Sequence, residues 1–135
     1  MSATYVVVGI IPNAQKEILI AQRPVQKSYS GYWEFPGGKK ELDETPYETL
    51  VREFKEELNI EVVAANPWRQ MEYQYPERTI FLDIWIITEF KGEIQSLENQ
   101  DFQWVSLSKL DNIHFLPANK LILDDVAEFI NGSAC

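Results

Sequence analysis

Residues 38–60 read GKKELDETPYETLVREFKEELNI, and this stretch carries most of the structural and chemical information in the sequence. Thr45 or Glu44 can begin a helix, with Pro46 tolerated in its first turn. Asn59 can end the helix in the left-handed conformation, which asparagine tolerates better than most residues. One side of the helix is apolar and can face a core. That apolar stripe consists of Tyr47, Leu50, Val51, Phe54 and Leu58.

Three glutamates adjoin this apolar stripe. Glu53, Glu56 and Glu57 are related as i, i+3 and i+4, and they fall within an arc of about 100°. Carboxylates at this spacing repel one another, but their oxygens are the ligands that Mg²⁺ and Mn²⁺ prefer. The pattern therefore predicts a cluster of carboxylates that binds a divalent cation. The alternative is an ordinary acidic surface helix, in which Arg52 pairs with Glu48 and Glu56.

Length and composition predict one globular domain over residues 1–135, because 45% of the residues are hydrophobic. The formal net charge of −9 argues against a nucleic-acid polymer as a partner, since such proteins carry a basic face. A small nucleotide stays compatible with this charge, because a metal ion can bridge carboxylates and phosphates.

The sequence also predicts a cytoplasmic protein that does not enter a membrane. The single cysteine, Cys135, allows no intrachain disulfide, which fits a reducing compartment. The apolar run Tyr5–Ile11 reads as a strand, because no basic segment precedes it as in a secretory signal. No stretch approaches the roughly 20 apolar residues of a membrane span.

The remaining segments alternate between strands and helices, which predicts a mixed α/β fold. Tyr5–Ile11 and Glu17–Gln22 are predicted to form a hairpin around Pro12-Asn13-Ala14. The other predicted elements are a loop at 24–31, an extended Trp33–Phe35, a sharp turn at Pro36–Gly38, a strand pair Met71–Tyr75 and Thr79–Phe90, a strand Gln103–Val105 and a helix Lys120–Ile130.

The central stretch resembles the Nudix box, G-x5-E-x7-R-E-U-x-E-E-x-G-U, where U is a bulky aliphatic residue. Phe54 takes the first U position as an aromatic residue, and Asn59 replaces the final glycine. The matching positions are Gly38, Glu44, Arg52, Glu53, Glu56, Glu57 and Ile60. The likeness extends through nearly the whole chain and is greatest to the 8-oxo-dGTP diphosphatases of the Nudix family. It includes Val8–Ile11, Trp33–Gly38, Tyr75–Arg78, Trp104–Leu107 and Pro117–Asn119.

This resemblance implies a Nudix-type α/β/α sandwich around a mixed β-sheet. It also implies Mg²⁺-dependent hydrolysis of a nucleoside triphosphate to the monophosphate and pyrophosphate, with Mn²⁺ as a substitute ion. The expected substrate is 8-oxo-dGTP, whose removal sanitises the nucleotide pool for DNA replication. A monomer acting on a small nucleotide is expected.

The resemblance also implies roles for individual residues. The implied metal ligands are the carboxylates of Glu53, Glu56, Glu57 and Glu98 and the carbonyl of Gly37. Glu53 is the candidate general base, Arg52 orients the carboxylates, and Glu44 braces the loop. The implied phosphate and substrate contacts are Arg23, Gly38 and Lys39.

For the base, the resemblance implies Asn119, with Phe35 and Arg78 lining the pocket. An amide can donate to O6 of the purine and accept from N7–H, which 8-oxoguanine has and guanine lacks. Each residue also has a structural alternative. Asn119 can cap the C-terminal helix, Phe35 can belong to the core, and Arg78 can serve the Tyr75–Thr79 turn.

Three other functions stay open. CTP or modified-pyrimidine pyrophosphohydrolases of the same family share the Gln22-Arg23-Pro24 segment, but they tend to have aspartate where this chain has Asn119. A non-catalytic Nudix-like nucleotide-binding domain would usually have lost a glutamate of the box, and here all three remain. A structural divalent-cation module would melt in a metal-dependent manner without turnover.

Overall fold

The computed structural model describes residues 3–24 and 27–132. Cys135 and two residues of the predicted loop at 24–31, Val25 and Gln26, lie outside the described residues. The chain divides into two units, Met1–Ile10 with Pro36–Glu98 and Ile11–Phe35 with Asn99–Cys135. We call them unit 1 and unit 2.

Unit 1 is built on a four-stranded sheet with the order β4-β1-β6-β5. These strands are β1 (Thr4–Ile10), β4 (Gly37–Lys39), β5 (Glu61–Gln74) and β6 (Thr79–Lys91). β1 runs parallel to β6, whereas β4 is antiparallel to β1 and β5 is antiparallel to β6. The predicted mixed sheet is therefore confirmed.

The predicted hairpin between the first two strands forms only next to its turn, where Pro12 pairs antiparallel with Ile18 and the Leu19 N–H donates to the Ile11 carbonyl at 3.3 Å. β2 (Glu17–Gln22) pairs with β3 (Trp33–Glu34) and β7 (Phe102–Ser106) in a separate antiparallel sheet in unit 2. β1 instead pairs on both sides within unit 1, which suits a β-branched run that is apolar on both faces. The turn itself is present within unit 2, where Asn13 Oδ1 accepts from the Glu17 backbone N–H at 2.9 Å.

Helix α1 (Pro46–Leu58) confirms both predicted helix ends. Thr45 and Glu48 form a capping box, in which each side chain accepts a hydrogen bond from the backbone N–H of the other residue. Asn59 follows the helix with φ 60° and ψ 30°, in the left-handed region. The core side consists of Leu50, Phe54 and Leu58, which are fully buried. Tyr47 is 36% exposed, so the predicted stripe is too wide at its first residue.

Two predictions around this helix need correction. The predicted sharp turn at Pro36–Gly38 is largely the short strand β4, because the two glycines allow it to lie unusually close to its neighbours. β5 begins ten residues earlier than the predicted strand Met71–Tyr75. The first half of β5 contains Asn66-Pro67 and several register shifts, which interrupt the alternation of apolar and polar residues. Sequence periodicity therefore does not reveal this half of the strand.

In unit 2, β7 leads into a 3₁₀ helix (Leu107–Asn112), α2 (Pro117–Lys120) and α3 (Leu123–Gly132). The predicted single helix Lys120–Ile130 is therefore two helices. A turn separates the two helices, and in it the Ile122 N–H donates to the Asn119 carbonyl at 3.2 Å. No helix in the described ranges is long and apolar enough to cross a membrane.

Candidate active site

Gly38 gives the Glu53 carboxyl group its place against the sheet of unit 1. A Cβ on Gly38 would overlap this carboxyl group, with Glu53 Oε2 only 2.6 Å away. Real Cβ atoms do not approach other atoms this closely, so a side chain at position 38 would displace Glu53. Glycine is therefore needed at position 38 for a steric reason, because the Glu53 carboxylate of α1 lies directly on the backbone of β4.

Gly37 has its own backbone requirement. Its φ of +153° is a conformation that favours glycine, and a Cβ there would collide with the Val7 carbonyl oxygen. Gly37 lies directly opposite Val8 in the β1–β4 pairing. Gly37 and Gly38 are neighbours in β4, and the Glu53 carboxyl group lies against Gly38. The Gly37 carbonyl, which is a predicted metal ligand, therefore belongs to the same short strand that Glu53 contacts.

Arg52 connects the carboxylates of the site. Its Nε donates to Glu44 Oε2 at 2.5 Å, and its Nη2 donates to Glu44 Oε1 at 3.0 Å. Its Nη1 donates to Glu53 Oε2 at 2.7 Å and to Glu56 Oε1 at 3.2 Å. Nη2 also bonds to the Lys39 carbonyl oxygen at 3.1 Å, which ties the helix to β4. A guanidinium is suited to this position because it presents five donors in a rigid fork.

Glu44 is held as an ionised carboxylate on the far side of Arg52. Besides the two bonds from Arg52, its Oε1 accepts from Thr49 Oγ1 at 2.9 Å and from the Glu41 backbone N–H at 3.1 Å. The hydrogen bond from Arg52 is the largest reason that the pKa of Glu44 falls to about 2. Glu44 can therefore fix Arg52 and the preceding loop together throughout the physiological pH range.

Glu53 has the opposite electrostatic environment. Burial raises the pKa of its carboxyl group above the ordinary value, and Arg52 only partly offsets this effect. The negative charges of Glu56 and Glu98 raise the pKa of Glu53 further. Glu98 has this effect although Glu98 itself is exposed. A carboxylate with a raised pKa beside other carboxylates is a good proton acceptor and a good cation ligand.

The predicted cluster of three glutamates is not assembled as expected. Among the described residues, no group of three or more acidic, histidine or cysteine side chains is arranged to hold a metal ion. Glu53 and Glu56 both bond to Arg52, and the Glu56 side chain is 50% exposed. Glu57 is buried, with 6% of its surface exposed. The helical offset was right, but Arg52 holds two of the three carboxylates.

These residues nevertheless fit a divalent cation. The donor atoms are hard carboxylate oxygens, which suit ions such as Mg²⁺. The glycine at position 38 makes room for one of them against the backbone. The negative charges of Glu56 and Glu98 disfavour the ionised form of Glu53, and a bound cation would relieve this repulsion.

In unit 2, Asn119 is buried and joined to the residue that follows β3. Its Oδ1 accepts from the Phe35 backbone N–H at 2.8 Å, and 4% of the residue is exposed. The alternative prediction of a helix cap is wrong, because Asn119 lies within α2 and its side chain bonds outside the helix. The Phe35 ring is fully buried and lies 5.9 Å from the Phe115 ring, so it belongs to the core of unit 2.

The three predicted basic contacts differ in how they are held. Arg78 is exposed, and its backbone exchanges two hydrogen bonds with Tyr75 across the turn, at 2.8 and 3.3 Å. Lys39 is exposed, and its ammonium group forms no ion pair with any residue in the described ranges. Arg23 is mostly buried in unit 2 and pairs with Glu34 at 3.2 Å.

Sequence reasoning missed two side chains that support these groups. Thr49 is fully buried and donates to Glu44, and Glu34 pairs with Arg23. Thr49 lies four residues after the helix cap Thr45, so helical spacing could have indicated a polar contact near Glu44. No local signal connects Glu34 to Arg23, because the pairing of β2 with β3 brings them together.

Comparison with known proteins supplies the family. The family model described as the NUDIX domain matches residues 7–125, which span most of both units. The chain belongs to the Nudix family. It is 37% identical to an 8-oxo-dGTP diphosphatase of Escherichia coli K12 over 123 residues, which cover 91% of this chain and 95% of that protein. It is also 36% identical to a CTP pyrophosphohydrolase of the same strain, with 87% of each chain covered.

Solved structures agree with this Nudix assignment. A MutT structure from work on Aliivibrio salmonicida and Vibrio cholerae has a TM-score of 0.83 and 33% identity, and it covers 95% of this chain and 99% of its own. The predicted Nudix fold class, the likeness to 8-oxo-dGTP diphosphatases and the hydrolase class are therefore confirmed. Nudix hydrolases generally use divalent metal ions, which agrees with the oxygen-rich site around Glu53.

Proposed function

We propose that this chain hydrolyses 8-oxo-dGTP to 8-oxo-dGMP and pyrophosphate with Mg²⁺ as its cofactor and Mn²⁺ as a substitute. One observation carries the proposal. A Nudix box that keeps all of its charged residues is folded so that the Glu53 carboxylate lies against Gly38, with Arg52 bound to it and to Glu44. A non-catalytic domain would have no need to keep this whole arrangement.

The reaction can be assigned to groups of the chain. Glu53, Glu56, Glu57, Glu98 and the Gly37 carbonyl would hold the divalent cation, which neutralises phosphate charge and acidifies water. Glu53 takes the proton from the attacking water through its carboxylate, which lies against Gly38 and is held by Arg52. Arg52 keeps this carboxylate oriented, and Glu44 keeps Arg52 oriented.

The substrate contacts are also proposals. The ammonium of Lys39 and the guanidinium of Arg23 contact phosphate oxygens, and the exposed guanidinium of Arg78 contacts the nucleotide. Gly38 contacts the nucleotide through its backbone, because the Glu53 carboxyl group fills the space where a side chain would lie. The protein acts as a monomer with the nucleotide as its partner, and its single-domain organisation is supported by a family model that runs through both units.

Base recognition rests on the amide of Asn119. The bond from the Phe35 N–H fixes which end of the amide is the oxygen. Nδ2 forms no hydrogen bond with the residues that the structure describes, so it can donate to purine O6. Oδ1 has a second lone pair that can accept N7–H of 8-oxoguanine. Guanine presents an acceptor at N7 and leaves that lone pair unpaired, which lowers its affinity. The Phe35 ring takes no part, because it is in the core.

The direct test is a panel of nucleoside triphosphates with Mg²⁺, in which pyrophosphate and orthophosphate are measured separately. We expect pyrophosphate, and little orthophosphate, from 8-oxo-dGTP at a much higher kcat/KM than from dGTP. Orthophosphate as the main product, or no turnover of any member, would refute the proposed reaction.

A CTP pyrophosphohydrolase is the second candidate, because the chain is 36% identical to one over 87% of each chain. The same panel separates the two functions if it includes CTP, dCTP and 5-substituted pyrimidine nucleotides. A kcat/KM for any of these above that for 8-oxo-dGTP favours the second candidate.

Substitution of Asn119 tests the base assignment. Asn119→Asp removes the Nδ2 donor, so we predict that the ratio of kcat/KM for 8-oxo-dGTP over dGTP falls by roughly tenfold or more. The bond to the Phe35 N–H is retained, so the fold is expected to persist. Asp111→Asn, an exposed change in the same unit, is the control. An unchanged ratio in Asn119→Asp removes Asn119 from base recognition.

A further inference from the structure

Arg23 and Glu34 are brought together by the small sheet of unit 2. β2 and β3 pair so that Ala21 lies opposite Glu34 and Gln22 lies opposite Trp33. Arg23 continues this pairing beyond β2, because its N–H donates to the Tyr32 carbonyl at 2.8 Å. The backbone of Arg23 is therefore held by the sheet.

The guanidinium of Arg23 is fastened on two sides. Its Nε donates to the Ser28 carbonyl at 2.8 Å, and its Nη1 donates to Glu34 Oε1 at 3.2 Å. The Arg23 side chain is only 14% exposed and the Glu34 side chain 21%. Nη2 forms no hydrogen bond with any residue in the described ranges. The Nη2 group is thus left for a ligand. Its direction is fixed by the hydrogen bonds of Nε and Nη1, because the guanidinium is planar.

The charges around this pair favour an anion. Burial raises the pKa of Glu34 above its ordinary value, while the positive charges of Arg23 and Lys27 act in the opposite direction. Two cations therefore surround one carboxylate, although the chain as a whole carries a net charge of −9. An oxygen of a phosphate group is a suitable ligand for the remaining guanidinium edge, since arginine binds phosphate through such directed bonds.

We propose that Glu34 is a positioning residue for substrate binding, which holds the Arg23 guanidinium so that Nη2 faces a phosphate oxygen of the nucleotide. The inference rests on the proposed function, which makes Arg23 a phosphate contact. Glu34 acts through Arg23 and contributes by pre-organisation, because a guanidinium fixed before binding loses less freedom when the phosphate arrives. The opposite role is competition, in which Glu34 occupies Arg23 and must be displaced.

Three variants separate these roles: Glu34→Ala, Glu34→Gln and Arg23→Ala. The measurements are KM and kcat for the best nucleotide of the panel, and the Kd of its non-hydrolysable α,β-methylene analogue by calorimetry. Positioning predicts that Glu34→Ala raises KM and Kd by about fivefold or more with little change in kcat. Glu34→Gln keeps an acceptor for Nη1 and should recover at least about half of the lost binding free energy.

A double-mutant comparison tests whether Glu34 affects nucleotide binding only by supporting the fold. In the Arg23→Ala background, Glu34→Ala should change Kd by less than about twofold, because the group that Glu34 positions is gone. A loss that persists in that background means that Glu34 only supports the fold, and it overturns the inference. Asp111→Ala controls for the change in net charge, since it removes an exposed carboxylate from the same unit.

Other outcomes are equally decisive. A Kd that is unchanged or lower in Glu34→Ala overturns positioning, and a lower value in both Glu34 variants identifies competition. If the unsubstituted protein hydrolyses the nucleotide while Glu34→Ala binds the analogue normally, only this inference fails. If the unsubstituted protein neither hydrolyses nor binds any nucleotide of the panel, the proposed function fails and this inference fails with it.

Discussion

At the scale of single residues, Arg52 organises the candidate active site. It donates to Glu44, Glu53 and Glu56, and its Nη2 lies 3.8 Å from Glu41. The pKa values of its two main partners move in opposite directions. The hydrogen bond from Arg52 lowers the pKa of Glu44, whereas burial raises the pKa of Glu53. One carboxylate is therefore a fixed anion that anchors the arginine, and the other can exchange a proton.

The pH dependence of stability tests the bracing role of Glu44. Its pKa is about 2 in the folded protein, below the ordinary value of 4.5, so its ionised form is favoured by folding. Its contribution to stability should be complete above pH 4.5 and should be lost as the pH falls through about 2. We predict that the stability difference between the unsubstituted protein and Glu44→Gln shrinks across that window.

Denaturant unfolding at several pH values measures this difference. Glu41→Gln is the matched control, because Glu41 has a 63% exposed side chain and lies 3.8 Å from Arg52. Its difference from the unsubstituted protein should be small at every pH. A difference for Glu44→Gln that is constant between pH 5 and pH 2 would show that the Arg52 pair does not act as described.

At the scale of elements, α1 is the part of the fold that local sequence determines most completely. The capping box of Thr45 and Glu48 and the left-handed Asn59 set its two ends, and each is readable from neighbouring residues. The pairing of strands is different. The separation of β1 and β2 into different sheets depends on β6 and β7, whose paired residues lie about 75 to 90 positions later in the sequence. No pattern within the first 22 residues contains that information.

Asn59 allows a test of the helix end, where this chain departs from the glycine of the box. Its φ of 60° is accessible to glycine and asparagine but costs other L-residues about 1 kcal/mol or more. We predict that Asn59→Ala lowers the free energy of unfolding by about 1 kcal/mol. Asn59→Gly is the control and should equal the native protein or exceed it. An alanine variant as stable as the glycine variant would be inconsistent with this backbone conformation.

At the scale of the whole molecule, the resemblance of residues 38–60 to the Nudix box implied the family and the reaction class, while long-range contacts determine the details of the site. Glu44, Arg52 and Glu53 lie within ten residues of one another, so helical geometry and the family pattern place them together. Asn119 bonds to Phe35 across 84 positions of sequence, and no local rule predicts that contact. Sequence offset places Glu56 within reach of Arg52, as in the alternative of an acidic surface helix, but it does not show that the same guanidinium also binds Glu53.

The most direct test of the account is the rate of pyrophosphate release by Glu53→Gln at saturating Mg²⁺ and 8-oxo-dGTP. Glutamine keeps the shape and an acceptor for Arg52 but cannot take a proton, so we predict a fall in kcat of roughly 10²- to 10⁴-fold with the thermal midpoint preserved. Glu72→Gln, an exposed change on β5 in the same unit, should turn over normally. A Glu53→Gln enzyme whose kcat stays within a few-fold of that control would contradict the assignment of Glu53 as the catalytic base.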